Sequence, residues 1–373
     1  MSNWKLVRLN FGRNPTHFGE TGIGLEQKSE RVRSDTLFSA WISAYAKSFG
    51  KARVEALLEQ FTNTAEPLFR VSSTFVYRRL GETFIDYLPK LVERPPGYMS
   101  DDLRFAKTFK KLKYLPKEVW QRWYQGSGFT LQDAQDLETY TAEPADKSTA
   151  LAQAGCFDYA EAFKGYELPK VAIDRTTRAT NFYHTGLIQF AWQPGKGTAP
   201  WGHEGVKNLA GLYFLIQFPD AAAELETDLM QALAILGEEG LGGERSSGAG
   251  RFTILSWEAL PKDWNEIVSF TGGNHHSLVS LFWDDAIDLA WLGDSARYTL
   301  QERGGWIASP FSGRQLRRQM IRMFAEGSVF PKEPRGQLAD VTPPEFIQAD
   351  GRRVPHAIYR NGVALSLPVS LSS

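Results

Sequence analysis

The sequence predicts an α+β protein built from two domains. Strand and helix patterns alternate in both halves of the chain, and 373 residues exceed the length of one ordinary core. Apolar residues make up 42% and charged residues 23%, with 11 Trp and 24 Phe, so the composition supplies a buried core and excludes global disorder. We therefore expect a soluble, globular protein.

The first half of the chain reads as strand, helix, strand and strand. Residues 4–11 alternate apolar and polar side chains, which predicts a strand with Val7 and Leu9 on one face. Ser34 and Asp35 precede an apolar run with helical spacing, which predicts a capped amphipathic helix. Further strands are predicted at residues 68–77 and 83–88.

The second half repeats the order of strand, helix and strand. Strands are predicted at residues 182–192, 211–218, 251–257, 277–283, 298–301 and 321–326, with a helix at 220–236. This order indicates α+β units with an antiparallel sheet covered on one face.

Residues 127–166 show weak periodicity and suit an insertion. The predicted division is thus 1–126, an interdomain region 127–170, and 171–373.

The charge is divided unevenly along the chain. Residues 1–130 hold 21 Lys+Arg against 13 Asp+Glu, a net of +8, and the remainder holds 21 against 30, a net of −9. A basic half joined to an acidic half predicts a polyanion on one side and a protein partner on the other. Chance asymmetry of solvated faces is the alternative.

Several classes of protein are disfavoured by what the sequence lacks. Cys156 is the one cysteine, which excludes an intramolecular disulfide and a cysteine-based zinc site. No apolar stretch near membrane-spanning length and no signal peptide is recognisable, so a cytoplasmic protein without membrane contact is expected. The six histidines form no HExxH pattern, and no Gly-x-Ser-x-Gly elbow occurs. We therefore expect no metal, no cofactor and no catalytic residue.

One segment, residues 240–252, is rich in glycine. Its five glycines permit positive φ and close approach of backbone amides to a phosphate, while two arginines and two serines supply donors. A Walker loop is excluded because Ala249 stands where lysine is needed, and a dinucleotide fingerprint would have to precede a helix. A flexible turn without ligand is the alternative. The predicted phosphate-binding residues are Gly242, Gly243, Arg245, Ser246, Ser247, Gly248, Gly250 and Arg251.

The same segment resembles the glycine-rich loop of the RAMP superfamily of CRISPR proteins. Other segments are similar to one branch of that superfamily, the fourth subunit of Csm-type complexes. They are residues 17–20, 34–40, 72–73, 88–90, 173–176 and 326–330. The resemblance as a whole extends from residue 4 to about residue 363. Residues 127–166 match no motif of the family.

The resemblance implies two ferredoxin-like (RRM-like) domains and a noncatalytic role in a type III-A effector complex for antiviral defence. Such a subunit is expected to grip the 5′ handle of the CRISPR RNA (crRNA). It would join the backbone subunit to the large polymerase-like subunit and meet target RNA only indirectly. The residues added to the predicted RNA-binding set on this basis are His17, Arg33, Ser72 and Ser73.

Two basic segments complete the predicted RNA contacts. Arg175, Thr176 and Arg178 precede a predicted strand where the family has a thumb-like hairpin, and they suit phosphate contact beside stacked bases. Lys110 and Lys111 belong to the densest run of lysines, which favours an electrostatic track along RNA. An ordinary exposed hairpin and a solvated helix face are the respective alternatives.

Two other functions remain open from the sequence. In the first, the chain is a RAMP endoribonuclease that processes precursor crRNA with His17 as general acid or base. In the second, it is an assembly protein that contacts only other subunits.

Backbone subunits of related complexes use a loop aspartate to cut RNA, but Asp35 belongs to no recognisable catalytic cluster. We expect it to serve at a helix N-terminus.

Overall fold

The computed structural model describes residues 3–19, 28–63, 66–100, 103–194, 206–219, 223–307, 316–346 and 356–372. Within these ranges the α-helices are α1 (Ser34–Phe49), α2 (Lys51–Asn63), α3 (Ala106–Lys111), α4 (Lys117–Gln125), α5 (Leu131–Ala142), α6 (Ala150–Gln153), α7 (Ala223–Glu239), α8 (Lys262–Val268) and α9 (Leu289–Leu292). The strands are β1 (Asn3–Asn10), β2 (Arg70–Val71), β3 (Phe75–Leu80), β4 (Thr83–Pro89), β5 (Tyr114–Pro116), β6 (Phe163–Ile173), β7 (Thr180–Phe190), β8 (Trp192–Pro194), β9 (Val206–Asn208), β10 (Ala210–Phe218), β11 (Thr253–Ala259), β12 (His275–Leu278), β13 (Leu300–Arg303), β14 (Ile321–Phe324), β15 (Val329–Phe330), β16 (Leu338–Asp340), β17 (Tyr359–Asn361) and β18 (Ser366–Val369). The mixture of helices and antiparallel strands confirms the predicted α+β class.

A seven-stranded antiparallel sheet organises the chain. Its order is β11-β1-β10-β3-β4-β5, with β2 also paired to β10. Strand β1 lies between β10 and β11 and is antiparallel to both. Because β1 precedes the predicted interdomain region and its two neighbours follow it, the sheet crosses that region. The division into domains, and their ferredoxin-like topology, stay predictions.

Both faces of this sheet are buried. Leu9 of β1 packs in one apolar cluster with Trp41 of α1, while Leu6 of the same strand packs in a second cluster with Trp120 of α4. The expectation of a sheet covered on one face is therefore wrong. The nearly continuous apolar sequence of β10 accounts for the difference, because a strand buried on both faces lacks alternation.

The weakly periodic segment 127–166 contributes to the second cluster. Thr130 and Asp133 form a capping box at the start of α5, and Leu137 and Cys156 are buried in the same cluster as the tryptophans of α4. Residues 127–166 are therefore folded onto the sheet. Within the described residues, no helix is long and apolar enough to cross a membrane.

A long hairpin extends beyond the sheet. Strands β6 and β7 pair in antiparallel register from Phe163 and Phe190 at the base to Ile173 and Thr180 near the tip. Phe190 is buried at the base, whereas the outer residues are exposed on both faces of the hairpin. The resemblance implies a hairpin around residues 175–178. The tip of the β6–β7 hairpin lies at these residues.

Candidate nucleic-acid interface

The glycine-rich segment forms a tight loop between α7 and β11. Gly240, Gly242, Gly248 and Gly250 have positive φ, a conformation that residues with side chains rarely adopt. The Leu241 amide donates a hydrogen bond to the Gly250 carbonyl over 2.9 Å, which closes the loop on itself. The sequence thus requires glycine here for backbone geometry, whatever the loop binds.

Two of these glycines differ in the space around them. A Cβ atom at Gly250 would lie 2.0 Å from the carbonyl oxygen of Leu241, so any side chain there would force the loop apart. A Cβ atom at Gly248 would meet nothing within 4 Å. Position 248 is therefore the point at which a ligand can approach the loop backbone from solvent.

His17 docks the glycine-rich loop against the hairpin. Its carbonyl accepts a hydrogen bond from the Gly243 amide at 2.9 Å, and its Nδ1 donates to the Gly186 carbonyl of β7 at 2.7 Å. The imidazole also fills the space over Gly243, where a Cβ atom would lie 2.6 Å from Cδ2 of His17. Only 7% of His17 is exposed, so its geometry is that of a positioning residue.

The hairpin and the glycine-rich loop are also joined by charge. Lys170 of β6 forms an ion pair with Glu244, a non-glycine residue in the left-handed conformation with φ 58°. The hydrogen bond and charge of Lys170 lower the pKa of the Glu244 carboxyl. We call the combined face of residues 15–17, residues 240–251 and strands β6 and β7 the loop–hairpin surface.

The solvent side of the loop carries the predicted donors. Arg245, Ser246, Ser247 and Arg251 are exposed, and neither arginine pairs with a described acidic side chain. The Ser247 hydroxyl donates to the Glu244 carbonyl at 2.9 Å. Two exposed arginines thus lie on either side of Gly248 in sequence, and a Cβ atom at Gly248 would meet nothing within 4 Å.

The tip of the hairpin carries the second set of predicted RNA-binding residues. Arg175, Thr176 and Arg178 are exposed, and Asp174 organises the turn by accepting hydrogen bonds from the amides of Thr176 at 2.7 Å and Thr177 at 3.1 Å. Arg178 has φ 59°, which directs the chain back into β7. The turn therefore presents two cations at the end of a projecting arm.

Apolar side chains lie exposed along the same arm. Val171 and Phe182 face each other across the two strands, with 55% and 61% of their surface exposed. Ile173, next along the same face, is 65% exposed. Exposed aromatic and aliphatic side chains between cationic groups suit contact with unstacked bases.

Two predicted RNA-binding residues, Ser72 and Ser73, are buried in the interior instead. Ser72 and Ser73 have no exposed surface, and Ser73 Oγ donates to the carboxylate of Glu326. Arg33 also pairs with Glu326, as does Arg31, which donates two hydrogen bonds of 2.9 and 3.0 Å. The prediction that the two serines touch RNA is corrected, because their hydroxyls hold a buried carboxylate and the backbone. Arg33 lies at the edge of this network.

Asp35 belongs to a second buried network. Arg303 of β13 donates to its carboxylate at 2.9 and 3.0 Å, and Arg360 of β17 binds the same group. Burial alone would raise the pKa of Asp35, but the two guanidinium groups outweigh it and lower the pKa to about 2. Asp35 lies at the N-terminus of α1, as expected, where its Oδ1 accepts a hydrogen bond from the Thr36 amide at 2.7 Å, and its ion pairs add a second role.

Lys110 and Lys111 are exposed on α3, as the predicted basic track requires. Neither forms an ion pair with a described acidic residue. Their contact with RNA stays a prediction. In the described ranges no group of three His, Cys, Asp or Glu side chains is arranged to hold a metal ion.

Several residues that build the interface leave no local pattern in the sequence. The outer half of strand β6 is exposed on both faces and so lacks alternation of apolar and polar residues. The sequence alone therefore does not predict the ion pair between Lys170 and Glu244. Glu326 and its arginine partners lie 293 and 295 residues apart, and such pairs form only through tertiary packing.

Comparison with known proteins agrees with this architecture. The model of the RAMP superfamily matches residues 13–253, so the chain belongs to this superfamily of CRISPR proteins. The model of the CRISPR Csm4 C-terminal domain matches residues 271–369. A relative from Streptococcus thermophilus called "CRISPR system Cms protein Csm4" is 34% identical over 366 residues, which is 95% of each chain. The chain therefore belongs to the Csm4 family.

More distant relatives share the whole length of the fold. The Csm4 protein of Thermococcus onnurineus is 25% identical over 348 residues, 91% of this chain and 92% of its own. A crystal structure of a Csm3-Csm4 subcomplex of the type III-A interference complex has a TM-score of 0.59 at 18% identity, covering 98% of this chain and 99% of the other. A Csm1-Csm4 cassette in complex with cA4 has a TM-score of 0.54 at 17% identity, with both chains fully covered.

Proposed function

We propose that the chain is the noncatalytic subunit of a type III-A effector complex that grips the 5′ handle of the crRNA. The observation that carries this proposal is the loop–hairpin surface. There the exposed Arg245 and Arg251 lie on either side of Gly248 in sequence, and a projecting arm ends in Arg175 and Arg178. Phosphates would lie against the loop, and unstacked bases against the exposed side chains of the arm.

The noncatalytic role is supported by the state of the two candidate catalytic residues. His17 is buried and bonded through Nδ1 to the hairpin, and Asp35 is buried between two guanidinium groups. A general acid or base must reach the substrate, and neither side chain is on an open surface. His17 is better suited to holding the glycine-rich loop against the hairpin, and Asp35 to tying α1 to β13 and β17.

The proposed assembly role follows from the family. Solved relatives were crystallised as a Csm3-Csm4 subcomplex and as a Csm1-Csm4 cassette. We infer that this chain likewise joins the backbone subunit to the large subunit, so that target RNA is met only through the guide. A cytoplasmic location is part of this proposal.

Binding of a fluorescent handle RNA, followed by anisotropy over a series of salt concentrations, tests the RNA-binding role. The variant Arg245→Gln/Arg251→Gln should bind roughly tenfold more weakly, equivalent to about 1.4 kcal/mol. Its salt dependence should also fall by about 0.7 log units per tenfold salt for each lost phosphate contact. The matched control is Lys262→Gln, which removes an exposed charge on α8 and should bind as wild type.

A second variant tests the open backbone. Asn tolerates the left-handed conformation, so Gly248→Asn should fold while adding a side chain where a phosphate would approach. Weaker handle binding with an unchanged melting temperature is expected. If both loop variants matched the control, and no crRNA copurified with the wild-type chain, the proposal would be refuted in favour of a purely structural assembly protein.

A further inference from the structure

A cleft opens to solvent beside α3, and its wall includes Phe163 at the base of the hairpin. It has a volume of about 600 Å³. The walls come from α3, the end of α5 and residues 156–163, so the segment that matches no family motif builds much of it. This volume falls within the roughly 300 to 1,000 Å³ typical of small-molecule sites. We call it the α3 cleft.

The α3 cleft is positively charged. Lys107, Lys111 and Lys113 line it, all are exposed, and none pairs with a described acidic side chain. Lys107 and Lys111 lie one helical turn apart on the same face, where like charges repel. Glu30 is the one described acidic residue of the wall, so three lysines against one glutamate leave +2. An anion in the cleft would relieve this repulsion.

Glu30 has a hydrogen-bond partner within the wall of the cleft. Its carboxylate accepts a hydrogen bond from the Tyr159 hydroxyl at 2.9 Å. Burial raises the pKa of the Tyr159 phenol well above its usual value, so this hydroxyl stays protonated and keeps donating to Glu30. The three lysines outnumber this one described acidic residue and give the wall its net positive charge.

Flat aromatic rings stand beside the lysines. Tyr140 and Phe157 are stacked with ring centroids 3.7 Å apart and planes at 8°, and both are only partly buried. Tyr114 and Tyr159 form a second stacked pair at 4.5 Å. Partly exposed rings next to free ammonium groups combine a surface for a planar base with charges for a phosphate.

We propose that the α3 cleft binds a nucleotide, with its base against the Tyr140–Phe157 pair and its phosphate at Lys107 and Lys111. The nucleotide is either free or part of an RNA strand, since both offer the same base and phosphate. This inference goes beyond handle binding and does not rest on it, because the cleft wall contains neither the arginines of the glycine-rich loop nor those of the hairpin tip.

Site-directed photo-cross-linking tests the proposal on the full chain. The protein is irradiated with 4-thiouridine 5′-monophosphate in one arm and with a single-stranded RNA containing 4-thiouridine in the other, and labelled peptides are mapped by mass spectrometry. We expect label on the peptides that carry Tyr140 and Phe157. Label from the monophosphate assigns a free nucleotide as the source, and label from the RNA alone assigns a strand.

Matched variants complete the test. Lys107→Gln/Lys111→Gln should reduce cleft labelling roughly tenfold, as expected for the loss of two phosphate contacts. Lys262→Gln removes an exposed charge on α8, outside the cleft wall, and should label as wild type. Tyr140→Leu, checked by thermal melting, should also lose label. The loop variant Arg245→Gln/Arg251→Gln should keep full labelling by the monophosphate, which separates this site from the handle site.

The opposite results would overturn the proposal. Absence of label from both cleft peptides in both arms would show that no nucleotide occupies the cleft. Equal labelling of Lys107→Gln/Lys111→Gln and Lys262→Gln would show that the lysines of the wall do not hold the phosphate.

Discussion

Asp35 and Arg303, which lie 268 residues apart in sequence, form an ion pair inside the protein with Oδ2 and Nε 2.9 Å apart. Arg360 binds the same carboxylate from β17, and Asp35 has no exposed surface. Helix α1 is therefore tied to two strands of the C-terminal part of the chain. The aspartate that analogy with related subunits makes a candidate for cutting RNA is thus part of a buried ion-pair network.

Replacement of Asp35 should unfold the protein more readily. In Asp35→Asn the two guanidinium groups would lose their counter-charge while remaining buried, and breaking a buried pair in this way costs about 3 to 5 kcal/mol. Urea unfolding measures this loss. The control Glu55→Gln breaks an exposed pair with Lys51 on α2 and should change stability by less than about 0.5 kcal/mol. A variant Asp35→Asn as stable as this control would contradict the ion-pair role.

Titration of the Asp35 carboxyl should make the free energy of unfolding depend on pH. The pKa of Asp35 is lowered to about 2, so its contribution is fully present above the unfolded pKa near 4 and is lost as pH falls from about 4 towards 2. The expected loss is about 2 kcal/mol. The pKa of Glu326 is also lowered, because Arg31 and Arg33 outweigh the effect of burial, and it adds to the loss in acid.

Unfolding free energies from urea titrations at a series of acidic pH values check this dependence. The wild type should lose stability steeply below about pH 4, while Asp35→Asn should show a shallower slope because one titrating carboxyl is gone. Identical slopes for the two proteins would mean that Asp35 titrates normally in the folded state.

The surroundings of Asp35 illustrate what the sequence can predict. The spacing of residues such as Leu37 and Trp41 predicts the helix around it, since one buried face leaves a local pattern. Its partners Arg303 and Arg360 are not predictable in this way, because pairing across 268 and 325 residues depends on tertiary packing. The glycine-rich loop is recognisable from composition, whereas its contact with His17 is not.

The contact between His17 and Gly243 gives a prediction for a double-mutant cycle. In Gly243→Ala the new Cβ atom would lie 2.6 Å from Cδ2 of His17, so the imidazole must move and the loop should dock less firmly. Handle affinity and melting temperature should both fall. His17→Ala removes the obstructing ring, so the double variant should lose less than the sum of the two single variants.

The cycle is read from melting temperatures and from handle RNA anisotropy. A coupling energy of about 0.5 kcal/mol or more is expected for residues in direct contact. Gly304→Ala serves as a control, because a Cβ atom there meets nothing within 4 Å. Strict additivity of His17→Ala and Gly243→Ala would show that the ring does not position the loop.

Cleavage of target RNA by the assembled complex should not depend on His17. This residue is 7% exposed, and its Nδ1 donates to the Gly186 carbonyl at 2.7 Å. The ring is therefore fixed between the glycine-rich loop and the hairpin. General acid–base cleavage would need this ring within hydrogen-bond reach of RNA and a second converging group. We therefore expect complexes carrying His17→Ala to cut target RNA at the same sites as wild type, with any loss appearing as poorer retention of crRNA. Gel mapping of the cleavage products, with copurified crRNA quantified in parallel, distinguishes these outcomes, because the loss of one cleavage site at full crRNA occupancy would make this chain an enzyme.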